Sequence, residues 1–506
     1  MQTTLLLDMV ADAAPDRLAL GRLADGVSFE ELRARARGGA AWLSDRGGET
    51  VAFLGLNGPA LAVAVFASGL VGKPFTPLNY RLPDADLNKL LARTAPSVAI
   101  VDEDMLGRLQ PASGVTVVTR GDFEAACLDE ANRSRELPEV DPDIGVLLFT
   151  SGTTGEPKAA VLRHRNLTSY VISTVEFLGS EEDEAALVSV PAYHIAGISA
   201  VLTGVYGGRR TVHLPAFTPE IWVDAAASEK VTHAMVVPTM LGRILDVLEQ
   251  RGETLASLRA LSYGGGRMPQ PVIERALRVL PHVDFVNAYG LTETSSTIAV
   301  LGPDDHREAI GSSDEAVRRR LGSVGRPLPV LEVEIRGPDG EVLGPGQSGE
   351  IYVRGEQVSG EYLHKKAVQD DGWFATNDGG WMDEDGYLYV EGRLDDVIVR
   401  GGENISPGEI EDVLREHPQV ADVAVLGLPD NEWGERVAAA IVAKDGAPSA
   451  DELGAWVKAR LRSTKTPEEI FFLDALPYNE TGKLLRRTLK QQLSAAPRAP
   501  EARGGR

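Results

Sequence analysis

Short apolar runs alternate with Ala- and Leu-rich helical patterns over about the first 320 residues of the chain. Turn residues bound each run, which is typical of buried strands. Strands that alternate with helices predict a layered α/β architecture. The clearest predicted strands are Val51–Leu56, Val98–Val101, Val146–Phe149 and Ala234–Val237.

The pattern changes after Gly325. Leu331–Arg336 and Glu350–Arg354 lie on either side of the turn Pro338-Asp339-Gly340, a combination that predicts a β-hairpin. Tyr387–Glu391 predicts a further strand. We therefore expect a small β-barrel-like region after the large α/β part.

A third pattern begins near Asp395. Ser406 and Ser449 each start an S-x-x-E sequence, which predicts a helix opened by a capping box. Two strand-like runs, Asp422–Leu426 and Ala438–Val442, accompany these helices. The sequence therefore predicts a large N-terminal domain, 1–394, a small α+β domain, 395–494, and a disordered tail, 495–506.

Composition narrows the possible functions. The 506 residues include 51 Lys and Arg against 74 Asp and Glu, a formal net charge of −23. Such an acidic surface repels phosphate backbones and anionic lipids, which disfavours a nucleic-acid or membrane-surface role. The most apolar stretch, Leu61–Val71, is too short for a membrane span and predicts a buried helix. Cys127 is the only cysteine, and the N-terminus lacks the basic region of a signal peptide, so we expect a cytoplasmic protein without disulfides.

A glycine-rich segment, Thr150–Lys158, directly follows the predicted strand at residue 149 and has the sequence TSGTTGEPK. Backbone N–H groups and hydroxyls in such a loop suit phosphate oxygens. It is not a Walker A loop, because Pro157 precedes the lysine and no Gly-Lys-Ser/Thr sequence opens a helix. The composition alone fits a phosphate-binding loop and a flexible surface loop equally well.

Six further motifs follow in order: Tyr289–Thr294, Gly349–Gly355, Gly372–Asp378, Gly392–Asp396, Gly401–Ile405 and Thr481–Lys483. In this order and spacing the set closely resembles the adenylate-forming superfamily, which contains acyl-CoA synthetases, amino-acid adenylation domains and firefly-type luciferases. The resemblance extends from about residue 140 to residue 490. It implies an AMP-forming carboxylate–CoA ligase that uses ATP, Mg²⁺ and coenzyme A.

The resemblance also implies roles for individual residues. It assigns the triphosphate to Thr150, Ser151, Gly152, Thr153, Thr154, Gly155 and Lys158. It assigns adenine to Gly264, Gly265, Gly266, Asn287, Ala288 and Tyr289, the ribose to Asp378 and Arg393, and Mg²⁺ to Glu293. The implied catalytic residues are Lys483, Thr292 and His194. Taken singly, Glu293 also fits a first-turn helix acid, Asp378 a turn former and Arg393 a surface cation.

The same resemblance implies a moving C-terminal domain. Asp395 corresponds to a hinge residue, about which the domain would rotate between adenylation and thioester formation. Gly401 and Gly402 would then line the path of coenzyme A. An ordinary turn residue is the alternative for Asp395.

The resemblance also implies an acid pocket around Tyr193, His194, Ala196 and Gly197. No Asp stands in 191–199 to pair with a substrate ammonium, which disfavours an α-amino acid. Small residues at Ala196, Gly197 and Gly264–Gly266 suit an apolar, bulky or long acid, although close approach of the backbone to adenine explains them equally well. Arg243 and Arg267 keep a dicarboxylate open, so the sequence does not name the acid.

Several positions depart from the common superfamily pattern, namely Ala159, Ala375, Asn377 and Arg400. If they weaken the ATP step, the enzyme would chiefly convert a supplied acyl-adenylate into a thioester. Loading of a carrier-protein thiol instead of coenzyme A is another alternative. The sequence makes no prediction of oligomeric state.

Overall fold

The computed structural model describes residues 1–150, 157–430, 433–444, 446–478 and 484–495. The chain divides into two compact units. The first contains Met1–Val333 and Tyr352–Ala375, and the second contains Glu334–Ile351 and the described residues of Thr376–Arg506. This division differs from a boundary at residue 394, which stays a prediction.

The strands of the described residues are numbered in chain order. The first thirteen are β1 Leu18–Leu20, β2 Val27–Ser28, β3 Thr50–Leu54, β4 Phe75–Pro77, β5 Ser97–Val101, β6 Val115–Thr119, β7 Ile144–Thr150, β8 Lys158–Arg163, β9 Ala185–Val188, β10 Arg210–His213, β11 His233–Val236, β12 Ala260–Gly264 and β13 Asp284–Leu291. The others are β14 Ser296–Leu301, β15 Arg326–Pro327, β16 Glu332–Arg336, β17 Gly349–Arg354, β18 Glu361–Tyr362, β19 Lys365–Lys366, β20 Phe374–Met382, β21 Leu388–Arg393, β22 Ile398–Arg400, β23 Glu403–Ile405, β24 Val420–Asp430, β25 Gly434–Ala443 and β26 Glu469–Phe472.

The helices follow the same numbering. They are α1 Thr4–Ala13, α2 Phe29–Ser44, α3 Pro59–Leu70, α4 Asp84–Ala92, α5 Arg120–Leu128, α6 Glu130–Arg133, α7 His164–Thr174, α8 Ile195–Tyr206, α9 Pro219–Ser228, α10 Pro238–Arg251, α11 Gln270–Val279, α12 Pro303–Gly311, α13 Glu315–Arg319, α14 Pro407–Arg415, α15 Ala450–Lys458 and α16 Arg486–Ala495.

Two large sheets build the first unit. One has nine strands in the order β15-β14-β13-β12-β11-β9-β10-β1-β2, and the other has eight in the order β19-β18-β8-β7-β4-β3-β5-β6. Most neighbours are parallel, such as β12 with β13 and β4 with β7. In each sheet the last long parallel strand is followed by an antiparallel return, β7 to β8 and β13 to β14. The α/β prediction is confirmed.

Apolar burial explains these elements. In α3 every residue from Ala60 to Gly69 is buried, so the apolar stretch predicted as a buried helix is one. Trp222, Tyr263 and Phe285 are fully buried in a second cluster of the first unit. Burying a side chain of this size contributes about 1.5–3 kcal/mol.

Cys127 lies in the core of the first unit, where 3% of its surface is exposed. Burial raises the pKa of its thiol to about 12. A thiol that stays protonated is a poor nucleophile, so we assign Cys127 a packing role.

Two smaller sheets complete the fold. The order β16-β17-β20-β21 forms the small β region, with the β16 and β17 neighbours at the positions predicted for a hairpin. The order β23-β22-β25-β24, with β26 beside β25, forms the α+β part of the second unit. Helices α14 and α15 pack with it around a core that includes Ile410, Val425 and Leu453.

The two predicted capping boxes have different outcomes. The Ser449 hydroxyl accepts a hydrogen bond from the Glu452 N–H at 3.1 Å, which is the serine half of the predicted box. Ser406 is the N-cap of α14, but its side chain makes no capping bond. Its hydroxyl donates instead to the Glu391 carbonyl at 3.1 Å. The capping prediction for Ser406 is wrong because a carbonyl distant in sequence takes the hydroxyl.

Within the described residues, no helix is both long enough and apolar enough to span a bilayer.

Candidate active site

The predicted phosphate-binding segment, Thr150–Lys158, spans the connection between β7 and β8. Ser151, Gly152, Thr153, Thr154 and Gly155 lie outside the described residues. At the two ends of the return, Thr150 and Lys158 are direct partners across the ladder, and the Thr150 hydroxyl donates to the Lys158 carbonyl at 3.4 Å. The hairpin therefore brings both ends of the predicted loop together.

Ala159, where the superfamily usually has glycine, is a strand residue. It belongs to β8, is 4% exposed and pairs with Phe149 across the hairpin. A strand interior favours alanine over glycine because glycine loses more backbone entropy on folding. Ala159 therefore supports the strand that carries Lys158.

The second hairpin, β13 to β14, carries the predicted metal residue Glu293 and three of the predicted adenine residues, and Gly264 lies on the neighbouring strand β12. Gly264 in β12 lies opposite Ala288 in β13, and a Cβ at Gly264 would stand 2.3 Å from the Ala288 carbonyl oxygen. The Asn287 amide donates to the Ser323 carbonyl at 3.1 Å. The lack of a side chain at Gly264 therefore has a packing reason within the sheet. Gly265 has a φ of +77°, in the left-handed region that favours glycine.

The end of the second hairpin is a tight turn. Thr292 and Glu293 belong to one 3-10 turn, Thr292–Thr294, between β13 and β14. The Glu293 carboxylate accepts a hydrogen bond from the Tyr362 hydroxyl at 2.7 Å. The Lys158 ammonium stands 5.7 Å from the centroid of the Tyr362 ring. Tyr362, which the sequence motifs do not include, thus contacts a predicted residue of each hairpin.

The kind of metal ion that Glu293 can bind depends on the number of other ligating side chains beside it. Within the described part of the chain, no group of three or more His, Cys, Asp or Glu side chains could hold a metal ion by itself. Mg²⁺ in nucleotide-dependent sites takes one or two carboxylates and fills its other positions with phosphate oxygens and water. A single carboxylate at the end of β13 fits a Mg²⁺ ion of this kind.

The residues of the predicted acid pocket form an aromatic cluster. Tyr193 meets Tyr80 edge-to-face with ring centroids 5.5 Å apart, and His194 lies 4.7 Å from Tyr193. His194 is the N-cap of α8, which brings Ala196 into the first turn of that helix. A Cβ at Gly197 would stand 2.6 Å from the Pro191 carbonyl oxygen, so this glycine also has a packing reason.

The predicted ribose residues are partners in the second unit. Asp378 in β20 and Arg393 in β21 are opposite one another, and Arg393 Nε lies 3.1 Å from Asp378 Oδ1. The Arg393 guanidinium also donates to the Thr376 carbonyl at 2.8 Å. Asp378 is 5% exposed and lies within β20, so its carboxylate stands on a strand beside a cation and not in a turn.

Asn377 replaces the usual glycine of this motif without distorting it. Its φ is +60°, and asparagine is one of the few residues other than glycine that adopt this conformation readily. The Asn377 amide donates to Asp395 Oδ2 at 2.9 Å. Asp395 lies in the 3-10 turn Leu394–Asp396, so the substituted side chain contacts the predicted hinge residue.

Gly401 and Gly402 form the turn between β22 and β23. Their φ values are +58° and +85°, which explains two glycines in sequence. The Gly401 N–H donates to the Trp433 carbonyl at 2.8 Å. Arg400 lies over the Trp433 ring at 5.3 Å and pairs with Glu468 at 2.8 Å. The additional cation near these glycines is therefore matched by a carboxylate.

Lys483 lies outside the described residues. Its described neighbours Tyr478 and Leu484 face each other in an antiparallel bridge, and the Tyr478 hydroxyl donates to Asp422 at 2.8 Å.

A mixed α/β fold with these two hairpins and a small α+β unit defines an adenylate-forming enzyme. The chain belongs to the AMP-binding enzyme family, whose sequence profile matches residues 7–363, and the profile of the C-terminal domain of AMP-binding enzymes matches residues 409–483. It is therefore an ATP-dependent, AMP-forming ligase.

Similar proteins include a feruloyl-CoA synthase of Amycolatopsis sp., 35% identical over 495 residues that cover 95% of this chain and 97% of that protein. An indoleacetate–CoA ligase of Aromatoleum aromaticum is 34% identical over 87% of this chain and 88% of its own length. The o-succinylbenzoate CoA synthetase of Bacillus subtilis, solved with its acyl-adenylate, superposes with a TM-score of 0.81 at 31% identity and covers 96% of this chain and 97% of that chain. The same enzyme has been solved with ATP and a magnesium ion.

Proposed function

We propose that the protein converts an aromatic carboxylic acid into its CoA thioester through an acyl-adenylate. The observation that carries the proposal is the contact of Tyr362 with both Lys158 and Glu293. Joining a carboxylate to a triphosphate brings two anions together, so a cation and a metal-binding carboxylate are needed at one phosphate site. The two hairpins supply one of each.

The aromatic class of acid has two supports. The three similar enzymes act on ferulate, indoleacetate and o-succinylbenzoate, which all contain an aromatic ring. The Tyr80, Tyr193 and His194 rings form a cluster in which an aromatic acid can find offset or edge-to-face partners. The proposal narrows the apolar, bulky or long acid expected from the sequence.

The proposed roles follow the motifs. Lys158 and the loop before it bind the triphosphate, Glu293 holds Mg²⁺, and Lys483 stabilises the charge that develops between the carboxylate and the α-phosphate. A bound Mg²⁺ would neutralise phosphate charge. Thr292 is proposed beside the α-phosphate. Adenine is proposed to bind Gly264–Gly266 and Asn287–Tyr289, and the ribose Asp378 and Arg393.

The second step is proposed to use the second unit. Thiolate attack on the acyl carbonyl expels AMP, and Gly401 and Gly402 are proposed to line the path of coenzyme A. Asp395 is proposed as the hinge and His194 as the gate behind the acid. The thiol donor in this proposal is coenzyme A, since all three similar enzymes are CoA ligases.

The test is a mass-spectrometric screen of aromatic, aliphatic and dicarboxylic acids with ATP, Mg²⁺ and coenzyme A. We expect acyl-CoA and AMP from aromatic acids first. Lys483→Ala should lower acid-dependent pyrophosphate exchange by about 10²–10³-fold, as expected when a charge-stabilising group is removed. Thioester formation from a supplied acyl-adenylate should change much less.

Lys458→Ala is the matched control, because Lys458 is an exposed lysine of the same unit at the end of α15. It should leave both half-reactions unchanged. If no acid gives an acyl-adenylate or acyl-CoA, or if Lys483→Ala retains full exchange, the proposal is wrong. A purely aliphatic product set would reject the aromatic class alone.

A further inference from the structure

Tyr362 stands at the junction of the two hairpins. It belongs to β18, which adds to the eight-stranded sheet beside β8, with Tyr362 opposite Ala160. The ring therefore lies two positions along β8 from Lys158, and the hydroxyl reaches Glu293 at the end of β13. Few side chains could make both contacts, since one contact needs a ring face and the other a neutral donor at its tip.

The backbone around Tyr362 is tied to both hairpins. The N–H groups of Ser359 and Gly360 both donate to the Glu293 carbonyl, at 2.8 and 3.0 Å. On the other side, the Leu363 N–H donates to the Ala159 carbonyl at 2.9 Å. The position of the Tyr362 hydroxyl is thus set by the same segment that fixes the backbone of Glu293.

An ion pair strengthens the attachment to β8. Arg163 Nε and Nη2 lie 3.0 and 2.9 Å from the two carboxylate oxygens of Glu361, the residue before Tyr362. Bidentate pairs of this kind restrict geometry as well as adding energy. Tyr362 is therefore held on a strand with little freedom to turn its ring away.

We propose that Tyr362 is a positioning residue that orients the Glu293 carboxylate toward a divalent metal bound with the nucleotide. This inference rests on the proposed function. The Tyr362 hydroxyl donates to Glu293 Oε1. This hydrogen bond fixes the plane of the carboxylate and leaves Oε2 available to the metal. Partners that hold a ligating carboxylate in this way typically change metal affinity 10- to 100-fold, in round numbers, when removed.

The chemistry of the donor supports this role. Across the residues that the structure describes, Glu293 forms no ion pair with a Lys, Arg or His side chain. A phenol orients the carboxylate without cancelling its charge, whereas an arginine or lysine in the same place would compete with the metal. The nearby ammonium of Lys158 is instead held over the ring face, a favourable place for a cation.

The experiment measures metal–nucleotide binding directly. Mn²⁺·ATP is titrated into the full-length protein without any acid, and the electron paramagnetic resonance signal of Mn²⁺ is followed. Tyr362→Phe keeps the ring and removes only the hydroxyl. We expect its Kd for Mn²⁺·ATP to rise about 10-fold. Tyr170→Phe is the matched control, because its hydroxyl lies 3.4 Å from Thr297 Oγ1 in the same unit, and its Kd should not change.

A double-mutant cycle separates positioning from general structure. If Tyr362 acts through the carboxylate, Tyr362→Phe should have no further effect in a Glu293→Gln background. A 10-fold loss that persists in that background would overturn the inference.

The same cycle distinguishes an error in the proposed metal site at Glu293 from an error in the role of Tyr362. If Glu293→Gln binds Mn²⁺·ATP as tightly as the unaltered protein, the metal assignment in the proposed function is wrong. If Glu293→Gln weakens binding and Tyr362→Phe does not, only the role of Tyr362 is wrong. Thermal melting of each variant shows that the comparison is made between folded proteins.

Discussion

The two hairpins of the first unit, β7 to β8 and β13 to β14, have turns that differ in length and in composition. Each reverses the chain after the last long parallel strand of its sheet, where α/β proteins commonly bind ligands. The first return, β7 to β8, needs the seven residues 151–157 between its strands. The second, β13 to β14, turns within Thr292–Ser295. The long return can be recognised in the sequence from its composition, whereas the composition of the short return does not reveal it.

The short return depends on close packing and unusual backbone. Ser295 and Ser296 have φ values of +55° and +121°, and the pairing of β13 with β14 shifts register between Tyr289 and Gly290. Irregularities of this kind often redirect side chains near functional sites. The comparison teaches that the turn of the first hairpin can be recognised from its composition, while the turn of the second depends on tertiary fit.

The largest expected effect is that of Gly290→Ala. A Cβ there would stand 1.7 Å from the Ser296 carbonyl oxygen, so the two strands of the second hairpin would have to separate. We expect a loss of about 3 kcal/mol or more in the free energy of unfolding, measured by urea denaturation. In the control Gly242→Ala, within α10, a Cβ meets nothing within 4 Å, and stability should rise by up to about 1 kcal/mol. Equal stability of both variants would refute the packing requirement.

The next effect concerns pH and the helix that follows each hairpin. His164 begins α7, and its Nδ1 accepts the Thr3 N–H at 3.2 Å. Burial lowers the pKa of His164 to about 4, and burial also lowers the pKa of His306 in α12. The unfolded chain therefore binds protons first, so this contribution to stability is complete above about pH 6.5 and is lost as the pH falls toward 4.

For His164 the loss amounts to about 3 kcal/mol between these limits. Urea denaturation of the unaltered protein from pH 7 to pH 4.5 should show it. His164→Asn keeps an acceptor near Nδ1 but does not titrate, so its profile should be flatter. The exposed His364→Asn is the control and should retain the original slope. Parallel profiles for His164→Asn and the unaltered protein would contradict this reading.

A smaller effect should come from the ion pair that fastens β18 to the first hairpin. Arg163 and Glu361 keep 21% and 29% of their side chains exposed, so we expect a coupling of about 1 kcal/mol in a cycle of Arg163→Gln and Glu361→Gln. The exposed pair of Arg135 and Asp45, with 43% and 54% exposed, is the control and should couple by less than about 0.5 kcal/mol. If the coupling energy of the control pair is the larger one, the Arg163–Glu361 pair does not fasten β18 more strongly than an exposed ion pair would.

The smallest expected effect is a gain. Ser295 has a left-handed φ, and its buried hydroxyl has no partner among the described residues. Ser295→Gly should relieve the strain and raise the free energy of unfolding by up to about 1 kcal/mol. Ser295→Ala removes the hydroxyl but keeps the strained conformation, so it should gain less. If alanine stabilises as much as glycine, strain is not what distinguishes the second turn.

The sequence predicted most of the fold because burial needs contiguous apolar residues. The run Val146–Phe149 lies within β7, and Val98–Val101 within β5. The predicted capping of α14 by the Ser406 side chain was wrong, because the hydroxyl donates to the carbonyl of Glu391, a partner distant in sequence that no local pattern indicates. The resemblance implied that Asp378 and Arg393 serve the same ribose, and the strand register, which the sequence did not predict, has them opposite one another.

The contact between Tyr362 and Glu293 could not be predicted from the sequence. Tyr362 lies 69 residues from Glu293 along the chain, and no local pattern marks a tyrosine whose hydroxyl serves another hairpin. Its strand has only two residues, too short for periodicity to be read.

The single cysteine has a practical consequence for the proposed hinge. Because Cys127 is buried and its thiol stays protonated, maleimide reagents should leave it unlabelled in the folded protein. One exposed cysteine introduced in each unit would then accept a pair of dyes without any change to the native residue. Single-molecule energy transfer between them, recorded with ATP, an acid and coenzyme A in turn, would report directly whether the units exchange orientations.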